Sequence, residues 1–216
     1  LRDYIKMTYP NHGILGEEYG IKNESSDYLW VIDPIDGTTS FSCGKPTFCT
    51  LIALLYKNEP VLGIVDQPIN KERWVGEFGK MTQFNNRPCF NDPRDISLLR
   101  LNCTTPMMFS KKQRKIFEFI QTLADISCFG GDAYAYGLMA SGYIEIIMES
   151  DLKFYDVAAL IPIIKGAGGI ITDWCGAEIY KENFNGTVLA AQTPEIHRKI
   201  ISMIFKFSDT KSPLNL

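Results

Sequence analysis

The sequence has little of the chemistry on which zinc enzymes and histidine-dependent catalysts rely. Its 216 residues include only two histidines, His12 and His197, and its six cysteines form no C-x-x-C pair. Without paired cysteine or histidine ligands, the sequence predicts no zinc site. Scattered cysteines are typical of free thiols in a reducing compartment, so we expect a cytoplasmic protein. Any chemistry at an active site must then come from carboxylates rather than from imidazole or thiolate groups.

The sequence also lacks a basic run and a long apolar run. Lysine and arginine number 22 against 25 acidic residues, which gives a formal charge of −3. A protein that binds nucleic acid needs a basic surface to meet the phosphates, so we expect no nucleic-acid partner. The longest apolar stretch, residues 48–56, is about half of the ~18 residues that cross a bilayer, so we expect no membrane partner. The 45% apolar and 22% charged residues are typical of a globular protein.

Short apolar strands alternate with helical patterns along the chain, which is typical of a layered α/β protein. One strand is predicted over residues 28–32 and should end at Asp33–Pro34, because proline cannot continue a β-ladder. A buried helix is predicted over residues 156–167, with Asp156 as its N-cap.

The same patterns describe the domain organisation. Strands and helices occur in two α/β halves, residues 1–96 and 97–216. No internal repeat and no low-complexity linker separates the halves. We therefore expect them to pack together as one compact domain.

The segment DPIDGT, residues 33–38, follows the predicted strand directly and carries the clearest chemical signal. Asp33, Asp36 and the backbone carbonyl of Ile35 are oxygen ligands of the kind that Mg²⁺ prefers. Gly37 and Thr38 offer backbone N–H groups to a phosphate at the start of a possible helix. The alternative interpretation is a turn stabilised by an aspartate side chain, with both acids in solvent.

Two further acids have ordinary interpretations when each is taken alone. Glu17 follows a short apolar segment and a glycine, where a solvated loop is the simplest prediction. Asp156 is explained equally well as a helix N-cap. With little imidazole in the chain, however, these carboxylates become candidates to join Asp33 and Asp36 in one site.

Three segments resemble, in order, the motifs of one enzyme family: GEEYG at residues 16–20, WVIDPIDGTTSF at residues 30–41 and YDVAALIPIIKGAGG at residues 155–169. They resemble the inositol monophosphatase superfamily of Mg²⁺-dependent, lithium-sensitive phosphatases. The resemblance covers essentially the whole chain. It implies the αβαβα sandwich of the inositol monophosphatase and fructose-1,6-bisphosphatase type, usually assembled as a homodimer.

The resemblance also implies roles for individual residues. Glu17, Asp33 and the Ile35 carbonyl correspond to ligands of a first Mg²⁺. Asp33, Asp36 and Asp156 correspond to ligands of a second, and a weaker third ion is implied near Glu17. Gly37 and Thr38 would bind the phosphate. Catalysis would depend on Glu17, Asp33 and Thr38 around a metal-activated water, with no covalent phosphoenzyme.

Residues 52–76 and 130–150 most resemble the histidinol-phosphate phosphatase branch, which implies a late step of histidine biosynthesis. Asp132 and Glu149 add carboxylates that could pair with the amine of histidinol phosphate. Inositol 1-phosphate or a broad range of sugar phosphates is the alternative substrate, and Asp132 could instead cap a helix that follows Gly130–Gly131.

The start of the sequence departs from the resembled enzymes. In those enzymes an acid on an upstream strand partners the threonine that corresponds to Thr38 and helps to orient the attacking water. Only sixteen residues precede Glu17, too few to include that acid. The sequence therefore predicts that the N-terminal helices of the fold are missing. It leaves open a non-catalytic relic that binds metal and a phosphometabolite.

Overall fold

We describe the chain from a computed structural model, which covers residues 1–17, 20–23, 25–90 and 98–209, without the side chains of residues 208 and 209. The described part of the N-terminal half forms an eight-stranded sheet with the order β2-β1-β3-β4-β5-β6-β7-β8. Neighbouring strands are antiparallel except for β1 and β3. The strands are β1 Gly13–Gly16, β2 Gly20–Lys22, β3 Tyr28–Asp36, β4 Cys49–Tyr56, β5 Glu59–Gln67, β6 Glu72–Glu77, β7 Gln83–Phe84 and β8 Arg87–Pro88.

A second, five-stranded sheet has the order β10-β9-β11-β13-β12. β9 pairs in parallel with β10 and β11, and β13 pairs antiparallel with β11 and β12. The strands are β9 Arg100–Cys103, β10 Ile126–Phe129, β11 Ile146–Glu149, β12 Ile170–Thr172 and β13 Val188–Ala191. The helices are α1 Arg2–Thr8, α2 Thr38–Ser42, α3 Lys111–Gln121, α4 Asp132–Ala140, α5 Phe154–Val157, α6 Leu160–Gly166 and α7 Pro194–Asp209, with a 3₁₀ turn at Pro106–Met108.

The helices form three layers around the two sheets. Ile5 of α1 packs with Ile14 and Ile32 on one face of the first sheet. α6 contacts β5 and β6 of the first sheet and β12 of the second, and α4 contacts β4, β5 and β11, so both helices lie between the sheets. α7 packs on β13 and α3. This order of layers is αβαβα, which confirms the predicted fold class.

Alternating side chains along β4 show that one face of the first sheet is more deeply buried than the other. Along β4 every second residue from Cys49 onward is buried, as expected for a strand whose successive side chains point to opposite faces. The middle layer approaches this sheet closely at Gly63, where an added Cβ would lie 2.0 Å from the carbonyl oxygen of Ala159. The absence of a side chain at Gly63 therefore sets how near α6 can lie to β5.

Two of the predicted elements differ from the structure. β3 does not end at Asp33–Pro34 but continues to Asp36, with an irregularity in its pairing to β4 between Asp33 and Asp36. The bulge accommodates the proline, and the Pro34 carbonyl accepts a hydrogen bond from Thr50 Oγ1 at 2.8 Å. The predicted start of a helix after Gly37 is confirmed as α2.

The predicted helix over residues 156–167 is two helices, α5 and α6, and Asp156 is not an N-cap. α5 begins at Phe154 because Lys153 has extended dihedral angles and takes the N-cap position. Asp156 therefore lies within the first turn. Strand β10 was not predicted from the sequence.

The division into halves at residues 96–97 falls outside the described residues and stays a prediction. Buried side chains from both sides of that boundary, such as Trp74 and Ile147, belong to one apolar cluster. Among the described residues, no helix is long and apolar enough to cross a bilayer.

Candidate functional site

The irregular end of β3 fixes the first carboxylate of the site. Asp33 is 2% exposed, and its Oδ1 accepts a hydrogen bond from the Ile35 backbone N–H at 3.0 Å. This is the aspartate-stabilised turn of the ordinary interpretation, but Asp33 is buried rather than solvated. The turn therefore holds a buried acid in a fixed orientation.

Two aspartates of β3 meet a third aspartate from a distant part of the chain at this point. One carboxylate oxygen from each of Asp33, Asp36 and Asp156 lies within 4.8 Å of the other two. Asp36 Oδ2 accepts a hydrogen bond from the Ala133 N–H at 2.7 Å, and Asp156 Oδ2 accepts one from the Lys153 N–H at 2.7 Å. Backbone donors from α4 and α5 thus orient the carboxylates that β3 and α5 bring together.

The site is short of positive charge. Burial, together with the charges of Glu17 and Asp156, raises the pKa of Asp33 to about 7. Burial is also the main reason that the pKa of Asp156 rises to about 6 and that of Asp36 rises well above its usual value. Carboxylates gathered against their mutual repulsion fit a hard divalent cation, which prefers oxygen ligands. The donor set therefore fits Mg²⁺ or a similar ion.

Glu17 and Thr38 lie at the edge of this cluster. Glu17 follows β1, is exposed, and its N–H donates to the Ile32 carbonyl at 3.4 Å. Its charge acts on both Asp33 and Asp156. Thr38 is the exposed first residue of α2. Both residues thus stand where groups bound over the aspartates would contact them.

Gly37 connects the aspartates to α2 in a conformation that favours glycine. Its φ is +80°, and an added Cβ would lie 2.9 Å from Asp132 Oδ2. Its carbonyl accepts the Phe41 N–H at 2.9 Å. A side chain at this position would meet both a backbone penalty and a carboxylate.

Asp132 is the first residue of α4, and Gly131 takes the N-cap position. Asp132 has φ +46°, which is uncommon for a residue with a side chain. Its Oδ2 accepts a hydrogen bond from Ser40 Oγ at 3.2 Å. Burial raises the pKa of Asp132, while the bond from Ser40 and the charge of Lys45 act in the opposite direction. The carboxylate thus turns toward α2.

Glu149 is held differently from Asp132. It is 2% exposed; Oε1 accepts bonds from the backbone N–H and hydroxyl of Thr104, and Oε2 accepts one from the Tyr136 hydroxyl at 2.8 Å. Burial raises the pKa of Glu149 to about 7, against the effect of these hydrogen bonds. Sequence reasoning did not identify Thr104, because its place beside Glu149 comes from the parallel pairing of β9 with β11, which brings the carboxyl ends of the two strands together.

These groups surround one cavity of about 180 Å³. Every residue that the sequence analysis proposed for the site lines this cavity. The lining residues are Glu17, Asp33, Ile35, Asp36, Gly37, Thr38, Thr104, Met108, Asp132, Ala133, Tyr136, Glu149, Leu152, Asp156 and Leu160. Residues 18 and 19 of the GEEYG motif lie outside the described part of the chain.

A family model described as the inositol monophosphatase family matches residues 1–206. The chain belongs to the inositol monophosphatase family. Divalent-metal dependence is typical of that family, which agrees with the carboxylate cluster. The match confirms the superfamily that the sequence motifs indicated.

Three similar proteins show how the similarity is distributed. The chloroplastic bifunctional phosphatase IMPL2 of Arabidopsis thaliana is 45% identical over 215 residues, which cover 93% of this chain and 60% of the relative, so the chain spans less than two thirds of that protein. A histidinol-phosphatase of Chlorobaculum parvum is 28% identical over 94% of this chain and 78% of its own. The structure of an inositol monophosphatase from Zymomonas mobilis matches with a TM-score of 0.87 and 39% identity, over 94% of this chain and 79% of that one.

Proposed function

We propose that this chain is a Mg²⁺-dependent phosphate monoester hydrolase. The observation that carries the proposal is the cluster of Asp33, Asp36 and Asp156, whose oxygens lie within 4.8 Å of one another in the lining of the cavity. Gly37 and Thr38 line the same cavity, so a phosphate and the cation ligands would meet there. Phosphoryl transfer depends mainly on positioning and on stabilisation of charge.

We assign the residues to three roles: holding the metal ions, binding the phosphate with the attacking water, and binding the rest of the substrate. Glu17, Asp33, the Ile35 carbonyl, Asp36 and Asp156 would hold two or three Mg²⁺ ions. Bound ions of this kind supply positive charge to the phosphoryl oxygens and make a water molecule more acidic.

The phosphate would contact Gly37 and Thr38. The hydroxyl of Thr38 would also orient the attacking water, beside the carboxylates of Glu17 and Asp33. General acid–base groups of this kind typically contribute ~10² to 10⁴-fold to a rate.

We propose histidinol phosphate as the substrate, because Asp132 presents a carboxylate to the cavity where a cationic amine could pair with it. Glu149 supports this less directly. Its oxygens already accept bonds from Thr104 and Tyr136, and with a pKa of about 7 it is only partly ionised near neutral pH. The amine contact that we propose therefore rests mainly on Asp132.

The names of relatives support both candidate substrates. One similar protein is named a histidinol-phosphatase, and a more similar one is named a bifunctional phosphatase. The Zymomonas mobilis structure is that of an inositol monophosphatase, which favours inositol 1-phosphate as the alternative. The homodimer, the cytoplasmic location, the sensitivity to lithium and the place in histidine biosynthesis stay predictions, as do the absence of nucleic-acid and membrane partners.

The test is phosphate release with Mg²⁺ from histidinol phosphate and from inositol 1-phosphate, measured in parallel. The control is Asp36→Asn, which removes a cation ligand but keeps an oxygen that can accept from Ala133. We expect release that depends on Asp36 and favours histidinol phosphate. Equal rates on both substrates would support a broad phosphatase, and binding of Mg²⁺ and phosphate without release would support the non-catalytic relic.

The role of Asp132 has its own test. Asp132→Ala should lower kcat/KM for histidinol phosphate by ~10-fold or more while leaving inositol 1-phosphate within a few-fold, because only the first substrate carries an amine. Equal losses on both substrates would contradict the pairing of Asp132 with an amine.

A further inference from the structure

Asp132 points toward α2 because of the backbone around it. Asp132 is the first residue of α4 and has a φ of +46°. The next residue, Ala133, donates its N–H to Asp36 Oδ2 at 2.7 Å. Positive φ in a residue with a side chain persists only where the surrounding structure enforces it. The hydrogen bond from Ala133 to Asp36 therefore fixes the main chain next to Asp132.

The carboxylate of Asp132 is held from the other side by Ser40. Ser40 is 8% exposed, and its hydroxyl donates to Asp132 Oδ2 across 92 positions of sequence. The carbonyl of Ser40 accepts the N–H of Lys45 at 2.9 Å, which fixes α2 to the loop after it. Gly37, without a side chain, leaves room for Oδ2 at the same place.

We infer that Ser40 is a positioning residue that determines substrate specificity by holding the Asp132 carboxylate in the orientation that a cationic substrate group contacts. The inference rests on the proposed function, because it concerns the same cavity. The bond from Ser40 takes one acceptor position on Oδ2, so Oδ1 and the second acceptor position on Oδ2 would meet a substrate ammonium. Burial raises the pKa of Asp132, and the bond from Ser40 and the charge of Lys45 act against that rise, so these two groups favour the ionised carboxylate that such a contact needs.

A fixed carboxylate binds a cation better than a mobile one, because the cost of ordering the side chain is already met in the free protein. Removing the Ser40 hydroxyl leaves Asp132 in place but free to rotate. The effect should therefore appear in the binding of an amine-bearing substrate and not in the chemical step. A substrate that has only hydroxyl groups should be affected little.

The experiment compares Ser40→Ala, Ser40→Thr, Asp132→Ala and the double variant Ser40→Ala/Asp132→Ala, each with histidinol phosphate and inositol 1-phosphate. We expect Ser40→Ala to raise KM for histidinol phosphate about tenfold with kcat within about twofold, and KM for inositol 1-phosphate to stay within about twofold. Ser40→Thr, which keeps a hydroxyl, should restore most of the affinity. The double variant should be no worse than Asp132→Ala alone, because the two residues act as one unit.

Ser42→Ala is the matched control, since Ser42 is an exposed serine on the same short helix. Equal losses on both substrates for Ser40→Ala would show a general structural role and overturn the inference, as would unchanged KM values or additive effects in the double variant. These results would leave the proposed function intact. If the unaltered chain neither hydrolyses nor, by calorimetry with Mg²⁺ present, binds either substrate, the proposed function fails and the inference fails with it.

Discussion

Replacing Asp36 by Asn should change the thermal stability of the chain in opposite directions with and without Mg²⁺. In the metal-free protein the substitution removes one of three carboxylates that lie within 4.8 Å of one another. The amide oxygen of Asn can still accept the hydrogen bond from Ala133, so the start of α4 is preserved. We therefore expect the metal-free variant to melt at a higher temperature than the unaltered chain, and the Mg²⁺-loaded variant at a lower one.

The magnitude follows from the geometry of the cluster. Two unit charges no more than 4.8 Å apart repel by about 3.5 kcal/mol or more at an effective dielectric constant of about 20. Partial protonation relieves part of this repulsion, so we expect a net gain of about 1 to 2 kcal/mol for metal-free Asp36→Asn. At about 2 to 4 °C per kcal/mol for a chain of this size, the melting temperature should rise by roughly 2 to 8 °C.

Mg²⁺ should have the larger effect on the unaltered chain. At a concentration of about 100 times its Kd, a ligand stabilises the folded state by about 2.7 kcal/mol, or roughly 5 to 10 °C in melting temperature. Asp36→Asn should lose most of this increase because one ligand is gone. The assay is thermal unfolding at pH 8, above the pKa values of about 7 and about 6 for Asp33 and Asp156, with and without Mg²⁺ at constant ionic strength.

Asp27→Asn is the matched control, because Asp27 is an exposed aspartate whose loss should matter little in either condition. The reasoning would be refuted if metal-free Asp36→Asn were less stable than the unaltered chain. It would also be refuted if Mg²⁺ stabilised both proteins equally, since the cation would then bind elsewhere.

Three further outcomes are expected. The pKa values of Asp156 and Asp33 are raised to about 6 and about 7, so these carboxyl groups stabilise the metal-free chain below pH ~4 and lose that contribution as the pH rises to ~7. The rise in melting temperature on adding Mg²⁺ should therefore be larger at pH 8 than at pH 5. Gly37→Ala should lower stability by about 1 to 3 kcal/mol, because its φ of +80° disfavours a side chain and an added Cβ would lie 2.9 Å from Asp132 Oδ2. It should also weaken phosphate binding measured by calorimetry. Unchanged stability and affinity would contradict this. Arg100→Met should lower the free energy of unfolding in urea by about 3 to 5 kcal/mol, because the buried Glu145 carboxylate loses its ion pair. Arg73→Met, at the exposed pair with Asp66, should lower it by about 1 kcal/mol or less. Similar losses for the two variants would contradict this reasoning.

The apolar patterns predicted only an α/β protein, and the αβαβα order of layers was implied by the resemblance of the three ordered motifs to a known family. The acids Asp33 and Asp36 could be placed at the end of a strand from local sequence alone. The extension of that strand through Pro34 could not, because a side chain of the neighbouring strand, Thr50, satisfies the proline carbonyl and the pairing shifts around it. Proline is tolerated within a sheet at a bulge, but the local sequence does not show where a bulge will form.

Contacts between segments that are distant in sequence also could not be predicted. The position of Asp156 beside Asp33 was available through the family resemblance, but its role as an N-cap was predicted wrongly, because the dihedral angles of Lys153 start the helix earlier. The bond between Ser40 and Asp132 joins residues 92 positions apart. It depends on where α4 begins in space, which no local pattern specifies.

Asp156 takes its position partly from a contact between a helix and a sheet that lies outside the lining of the cavity. Ala159 approaches β5 closely where Gly63 has no side chain, and it stands three residues after Asp156. An added methyl group at Gly63 would push the start of α6 away from the sheet, and we expect Asp156, three residues before Ala159, to move with it. We therefore expect a substitution at Gly63 to shift the Asp156 carboxylate as well as the packing of the inner layers, and to change the affinity for a cation together with the stability of the core.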